Sequence, residues 1–158
     1  MTKIDIYTDG ACLGNPGPGG IGIVLLYNEL EKKLSYGFLD TTNNRMEMLA
    51  IIVALKSLKK PCNIDLYSDS RYVIDALTKG WVLKWQANNW MRNNKDPALN
   101  VDLWEIMLDV MKGHRVNFIW VKGHSGNKYN EICDKLAQSA AEKGDFTLSD
   151  IEFAMAYK

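Results

Sequence analysis

The chain has 158 residues, 47% hydrophobic and 24% charged, which suits one globular domain with a full core. Its formal net charge is zero, so a polyanionic partner has to be attracted by local patches and not by an overall positive field. Cys12, Cys62 and Cys133 form no close pair, which suits reduced thiols better than a disulfide framework or zinc site; with an acid in the first apolar stretch and no long apolar run, a soluble cytoplasmic protein without signal peptide or membrane span is expected.

Residues 4–8, "IDIYT", alternate as a strand does, and "GIGIVLLYN" (20–28) and "KKLSYGFLD" (32–40) predict two more strands joined by the polar "NELE". These form an antiparallel meander. Residues 43–60, "NNRMEMLAIIVALKSLKK", predict a long helix with lysines at its end, stopped by Pro61. A short strand at 63–70 precedes a helix at 71–80 closed by Gly80, and a further helix at 101–113 is closed by Gly113. A fifth strand at 116–123 and a helix at 127–144, closed by Gly144, follow. Strands first, then alternating helices and strands, describe an α/β sheet with an antiparallel side and helical crossovers on its faces.

Five polar residues stand out, each with an ordinary explanation beside a chemical one. Asp9, before Gly10, reads as an Asp-Gly turn residue at a strand end. Glu47 is the only acid in the apolar "MEMLAIIVAL", where a carboxylate needs donors or a cation; Asn44 three residues earlier also fits a variant capping box. Asp69 stands where a strand meets a helix, a favoured N-cap position. Asp134 reads as part of a solvated helix face and His124, in "GHSGN", as a loop histidine.

Topology offers a reason to group the acids. Asp9 and Asp69 end two strands of one sheet, and the helices carrying Glu47 and Asp134 pack across that sheet, so all four acids can converge. Carboxylates 4 Å apart repel by about 4 kcal/mol per pair at an effective dielectric near 20, and such a cluster calls for a metal ion. All-oxygen ligands select magnesium, with manganese as the alternative.

Through "YTDGACLGNPGPGGIG", "TTNNRMEMLA", "YSDSRYVI", "NVDLW" and "WVKGHSGNKYNEICDKLA", in that order, the chain resembles type 1 ribonuclease H of the bacterial kind over about residues 3–143. The resemblance implies a five-stranded mixed sheet of order 3-2-1-4-5 with helices on both faces. It implies endonucleolytic hydrolysis of the RNA strand of RNA/DNA hybrids by a two-metal mechanism, with two magnesium ions bound alongside substrate, leaving a 5′-phosphate and a 3′-hydroxyl. Asp9, Glu47, Asp69 and Asp134 become the metal-binding carboxylates, and His124 assists proton transfer or product release. Cys12, Asn15, Asn43, Asn44 and Asn130 become minor-groove contacts and Thr42 a contact to a DNA phosphate.

The glycines of "GNPGPGG" are expected to let the backbone approach a nucleic-acid strand closely. The segment "GWVLKWQANNWMRNNKDPALN" corresponds to the family's basic protrusion, here with only Lys84, Arg92 and Lys95 against Asp96, so weaker hybrid binding is expected. Trp81 and the two cations Lys84 and Arg92 are its nucleic-acid contacts, while core packing is expected of at least two of Trp81, Trp85 and Trp90. Residues 144–158 read as a tail, with Ser149 and Glu152 capping a short docked helix. A monomer is expected, acting on a hybrid duplex. A related metal-dependent DNA nuclease and a non-catalytic hybrid-binding module are the competing functions.

Overall fold

The structure, a computed structural model, describes residues 1–143 and 148–158; the predicted closure of a helix at Gly144 lies outside the described residues. The elements in chain order are β1 (Thr2–Cys12), β2 (Gly17–Tyr27), β3 (Leu30–Thr41), α1 (Asn43–Lys56), β4 (Cys62–Ser68), α2 (Arg71–Thr78), α3 (Trp81–Ala87), α4 (Val101–Met111), β5 (Arg115–Trp120), α5 (Lys128–Lys143) and α6 (Asp150–Ala156). They build a five-stranded sheet of order β3-β2-β1-β4-β5, antiparallel at β1–β2 and β2–β3 and parallel at β1–β4 and β4–β5. The hairpin between β2 and β3 turns at Asn28, in the left-handed region at φ 54°. The parallel pairs are bridged by helical crossovers, as their geometry demands.

The first three strands run longer than the sequence pattern predicts, and glycines explain why. Gly19, Gly20 and Gly22 are paired residues of β2, facing Cys12, Ala11 and Asp9 of β1. Helix α5 lies so close over β2 that a Cβ at Gly20 would strike the Ala137 carbonyl and one at Gly22 the Cys133 carbonyl. A Cβ at Gly19 would meet the Thr41 and Met46 side chains. The expectation that these glycines serve a nucleic-acid strand is therefore corrected for Gly19 and Gly20, which are buried and needed for internal packing.

Helix α1 is buried on all sides from Met46 to Leu55, between the sheet and the helices α4 and α6. It ends four residues before the predicted Lys60, where the Ser57 hydroxyl donates to the Ala54 carbonyl at 2.6 Å and the Ser57 N–H turns back to Val53. Helix α3 is an addition to the predicted order. Of its neighbourhood's tryptophans, Trp85 and Trp90 pack against the core, Trp85 edge-on to Trp104 at 6.3 Å, while Trp81 is 38% exposed. The predicted capping box of Ser149 and Glu152 opens α6, whose Ala154 is buried and whose Phe153 packs on Tyr36 and Phe38.

Candidate metal centre and nucleic-acid face

Asp9 is a paired residue inside β1, opposite Gly22, and not the turn residue its Asp-Gly context suggests. The parallel register of Tyr7 with Tyr67 carries on, two residues later, to set Asp9 beside Asp69 just where β4 has ended. This is the carboxyl end of the central strands, where an open α/β sheet leaves a crevice. Asp69 is not an N-cap. Ser70 caps α2, its Oγ accepting from the Val73 N–H at 3.2 Å, and Asp69 is left free to face the crevice.

The capping-box reading of Asn44 and Glu47 is likewise replaced. Thr42 is the N-cap of α1, its Oγ1 accepting from the Arg45 N–H at 3.3 Å, which places Glu47 in the second turn. There Glu47 Oε1 accepts the backbone N–H of Gly10. Contact this close between α1 and β1 requires glycine, since a Cβ at residue 10 would fall on the Glu47 backbone nitrogen. The same Gly10 N–H donates to Asp9 Oδ1 at 3.0 Å.

Asp9, Glu47 and Asp69 each offer a carboxylate oxygen within 4.8 Å of the others. Asp9 and Glu47 are buried and Asp69 half-buried. Burial, with the neighbouring Glu47 charge second, pushes the Asp9 carboxyl far above the usual carboxylate range. Burial also raises Glu47, the charge of Asp69 adding to it, although hydrogen bonding pulls the other way. Glu47 Oε2 is buried without a hydrogen-bond partner among the described residues, beside two further carboxylates and no cationic side chain in the cluster. An orphaned oxygen within an all-oxygen cluster fits a small hard divalent cation, which would satisfy the oxygen and neutralise the repulsion.

Asp134 on α5 and His124 in the β5–α5 loop line the same cleft, of about 630 Å³, as do Cys12, Asn43 and Asn44. Asp134 stands outside the trio, its two oxygens accepting from Gln138 Nε2 at 3.2 Å each. His124 is exposed, with a left-handed backbone at φ 54°. Asn15 is exposed, and its Oδ1 accepts the Asn43 N–H at 3.0 Å, tying the first hairpin turn to the start of α1. Asn130 differs: it is only 3% exposed and does not line the cleft.

Trp81, Lys84 and Arg92 form a second region. Trp81 and Arg92 line a recess of about 210 Å³ with Tyr72, Trp85 and Leu99, and Lys84 is exposed on α3. Arg92 also holds its own loop, its Nε donating to the Pro97 carbonyl at 3.1 Å. Gln138 and Trp120 are among the residues at the site that the sequence did not single out. Gln138 follows Asp134 by one helical turn, and that spacing was a signal available in the sequence. Trp120, whose indole N–H donates to the Asp69 backbone carbonyl at 3.1 Å, left none.

A family model described as RNase H matches residues 1–142. Among curated relatives, the ribonuclease H of Desulforamulus reducens is 58% identical over 148 residues, covering 94% of this chain and 93% of its own. That of Trichodesmium erythraeum is 56% identical over 144 residues, covering 91% and 92%. Among solved structures, LC9-RNase H1, a type 1 RNase H with the type 2 active-site motif, is 29% identical with a TM-score of 0.83, over 99% of this chain and 82% of that one.

Proposed function

The chain belongs to the RNase H family and is an endonuclease acting on the RNA strand of RNA/DNA hybrids; we propose that Asp9, Glu47, Asp69 and Asp134 hold the divalent metal this requires. The observation that carries the reading is the cluster of three carboxylates, two of them buried, with one oxygen left without a partner. Magnesium suits the all-oxygen donor set, two ions binding together with substrate, and manganese is the alternative. Bound there, the metal supplies activation of the attacking water and stabilisation of the leaving 3′-oxygen, so that the products are a 5′-phosphate and a 3′-hydroxyl.

The chain's own residues position and protonate. Gly10 fixes Glu47 and Asp9 through one N–H, which keeps both carboxylates aimed at the crevice. Asp134, steadied by Gln138, faces the same cleft from α5 and completes the ligand set. Exposed on its loop at the cleft rim, His124 is placed to pass a proton between solvent and the reacting phosphate or to aid product release. Asn43, Asn44, Cys12 and Asn15 line or buttress the wall on which an A-like minor groove presents its 2′-hydroxyls. Asn130 joins them only through its place in the first turn of α5. Thr42 is proposed for one DNA phosphate, and Trp81, Lys84 and Arg92 for the strand's continuation.

Residues 1–143 are proposed as the catalytic domain and 144–158 as a C-terminal tail whose helix α6 docks on the body. No helix among the described residues is long and apolar enough to cross a membrane. A cytoplasmic monomer is proposed, and the three free thiols fit a reducing compartment. The test is cleavage of a hybrid labelled on either strand, a DNA duplex and an RNA duplex, with and without magnesium. Magnesium-dependent cutting of the hybrid's RNA alone is expected. Equal cutting of DNA would favour a DNA nuclease, and hybrid binding without any cutting a non-catalytic module.

A further inference from the structure

Asp69 belongs to neither β4 nor α2, so regular backbone pairing does not fix its carboxylate. Residues beyond it in the fold do. The Trp120 indole N–H donates to the Asp69 carbonyl at 3.1 Å, and the Arg71 guanidinium stacks 3.8 Å above the Trp120 ring, fixing the ring from the other end of the same turn. The Val121 N–H donates to the Ser68 carbonyl at 2.9 Å, so the backbone on both sides of the Asp69 turn is bound to the end of β5. Two residues after Val121, Gly123 is packed against the Asp69 carboxylate: a Cβ there would come 2.7 Å from Oδ2.

We propose that Trp120 and Gly123 are positioning residues for Asp69: the indole N–H holds its backbone and the bare Cα leaves the room its carboxylate needs. The inference rests on Asp69 being a metal ligand. Partners one shell behind a metal ligand govern affinity by restricting the ligand's orientation, and their loss typically lowers metal affinity about 10-fold or more. Because Gly123 is adjacent to His124, the same contact joins the histidine's loop to the metal centre.

The experiment titrates magnesium into the substrate-free protein and follows backbone amide shifts, alongside metal-free melting curves. Trp120→Phe keeps a smaller aromatic ring for Arg71 to stack on and removes the N–H donor. Gly123→Ala attacks the carboxylate independently, so the test survives if one variant fails to fold. Both are expected to bind magnesium about 10-fold more weakly. Phe153→Ala, which disturbs packing on the far side of α1, serves as a control for general loosening and is expected to keep wild-type affinity. Unchanged affinity in Trp120→Phe and Gly123→Ala, or an equal loss in Phe153→Ala, would overturn the positioning role. Asp69→Asn separates the two levels: if it too binds magnesium as the wild type does, the ligand reading fails first, and the positioning role falls with it.

Discussion

Arg45 and Glu47 stand two residues apart on α1, and each belongs to a group of carboxylates built on opposite terms. Around Arg45 the carboxylates are held by a shared cation. Its Nε donates to Asp150 Oδ2 at 2.7 Å and its two terminal nitrogens to Asp102 at 2.9 and 2.8 Å, while the Thr41 hydroxyl donates to Asp150 at 2.7 Å. Around Glu47 they are not: Asp9 and Asp69 bring more negative charge, and one Glu47 oxygen has no partner among the described residues. The first group holds together α1, α4 and α6, three elements far apart in sequence. On the function proposed above, the second lowers the stability of the metal-free fold to keep a cation site ready, as functional clusters of like charge do.

The largest expected effect separates the two groups by activity. Asp9→Asn removes several kcal/mol of charge stabilisation and slows hybrid cleavage by about 10³-fold, whereas Asp150→Ala leaves the cleft carboxylates in place and retains turnover once folded. Initial rates on a hybrid in magnesium check both. A comparable rate loss in Asp150→Ala would break the division.

Stability reverses the order. Asp150→Ala leaves the partly buried Arg45 without one carboxylate and is expected to cost about 3 kcal/mol in denaturant melts. Asp9→Asn, by contrast, relieves repulsion and is expected to raise metal-free stability by about 1 to 3 kcal/mol, and magnesium then stabilises the wild type more than the variant. A lower metal-free melting point for Asp9→Asn would mean the acid stabilises the fold by its hydrogen bonds more than its charge strains it.

The pH dependence sharpens the contrast because the two groups shift in opposite directions. Arg45 holds Asp102 below the usual carboxylate range; for Asp150 burial pushes upward but Arg45 and Thr41 outweigh it. A depressed folded value contributes stability that is full above the unfolded value, about 3.9, and is lost as pH falls through the folded one. Asp9 and Glu47 are raised, so their contribution is full below the unfolded value and declines as pH rises through the folded ones. Metal-free melts from about pH 3 to about pH 9 should therefore show an acid limb that Asp150→Ala flattens and an upper limb that Asp9→Asn flattens. The smallest effect lies outside both groups: Lys84→Ala and Arg92→Ala are each expected to reduce the salt slope of hybrid binding by about 1. An unchanged slope would place this segment away from phosphate.

The order of strands and helices and the five polar residues of the cleft were legible in the sequence because alternation, helical periodicity and local motif are properties of neighbouring residues. Topology allowed all four acids to converge; the fold brings Asp9, Glu47 and Asp69 together and leaves Asp134 on the wall of the same cleft. What the sequence could not decide is which ordinary role each acid would decline. A turn, a capping box and an N-cap were all chemically available, and only the packed fold assigned those tasks to other residues, giving the caps to Thr42 and Ser70 and leaving Glu47 to the Gly10 N–H. Gly20 misled for the same reason: its meaning lies in the Ala137 carbonyl of α5, more than a hundred residues away. Trp120 and the Arg45 group were invisible because hydrogen bonds and ion pairs are set by distances of about 3 Å, and only the tertiary structure brings residues remote in sequence to such distances.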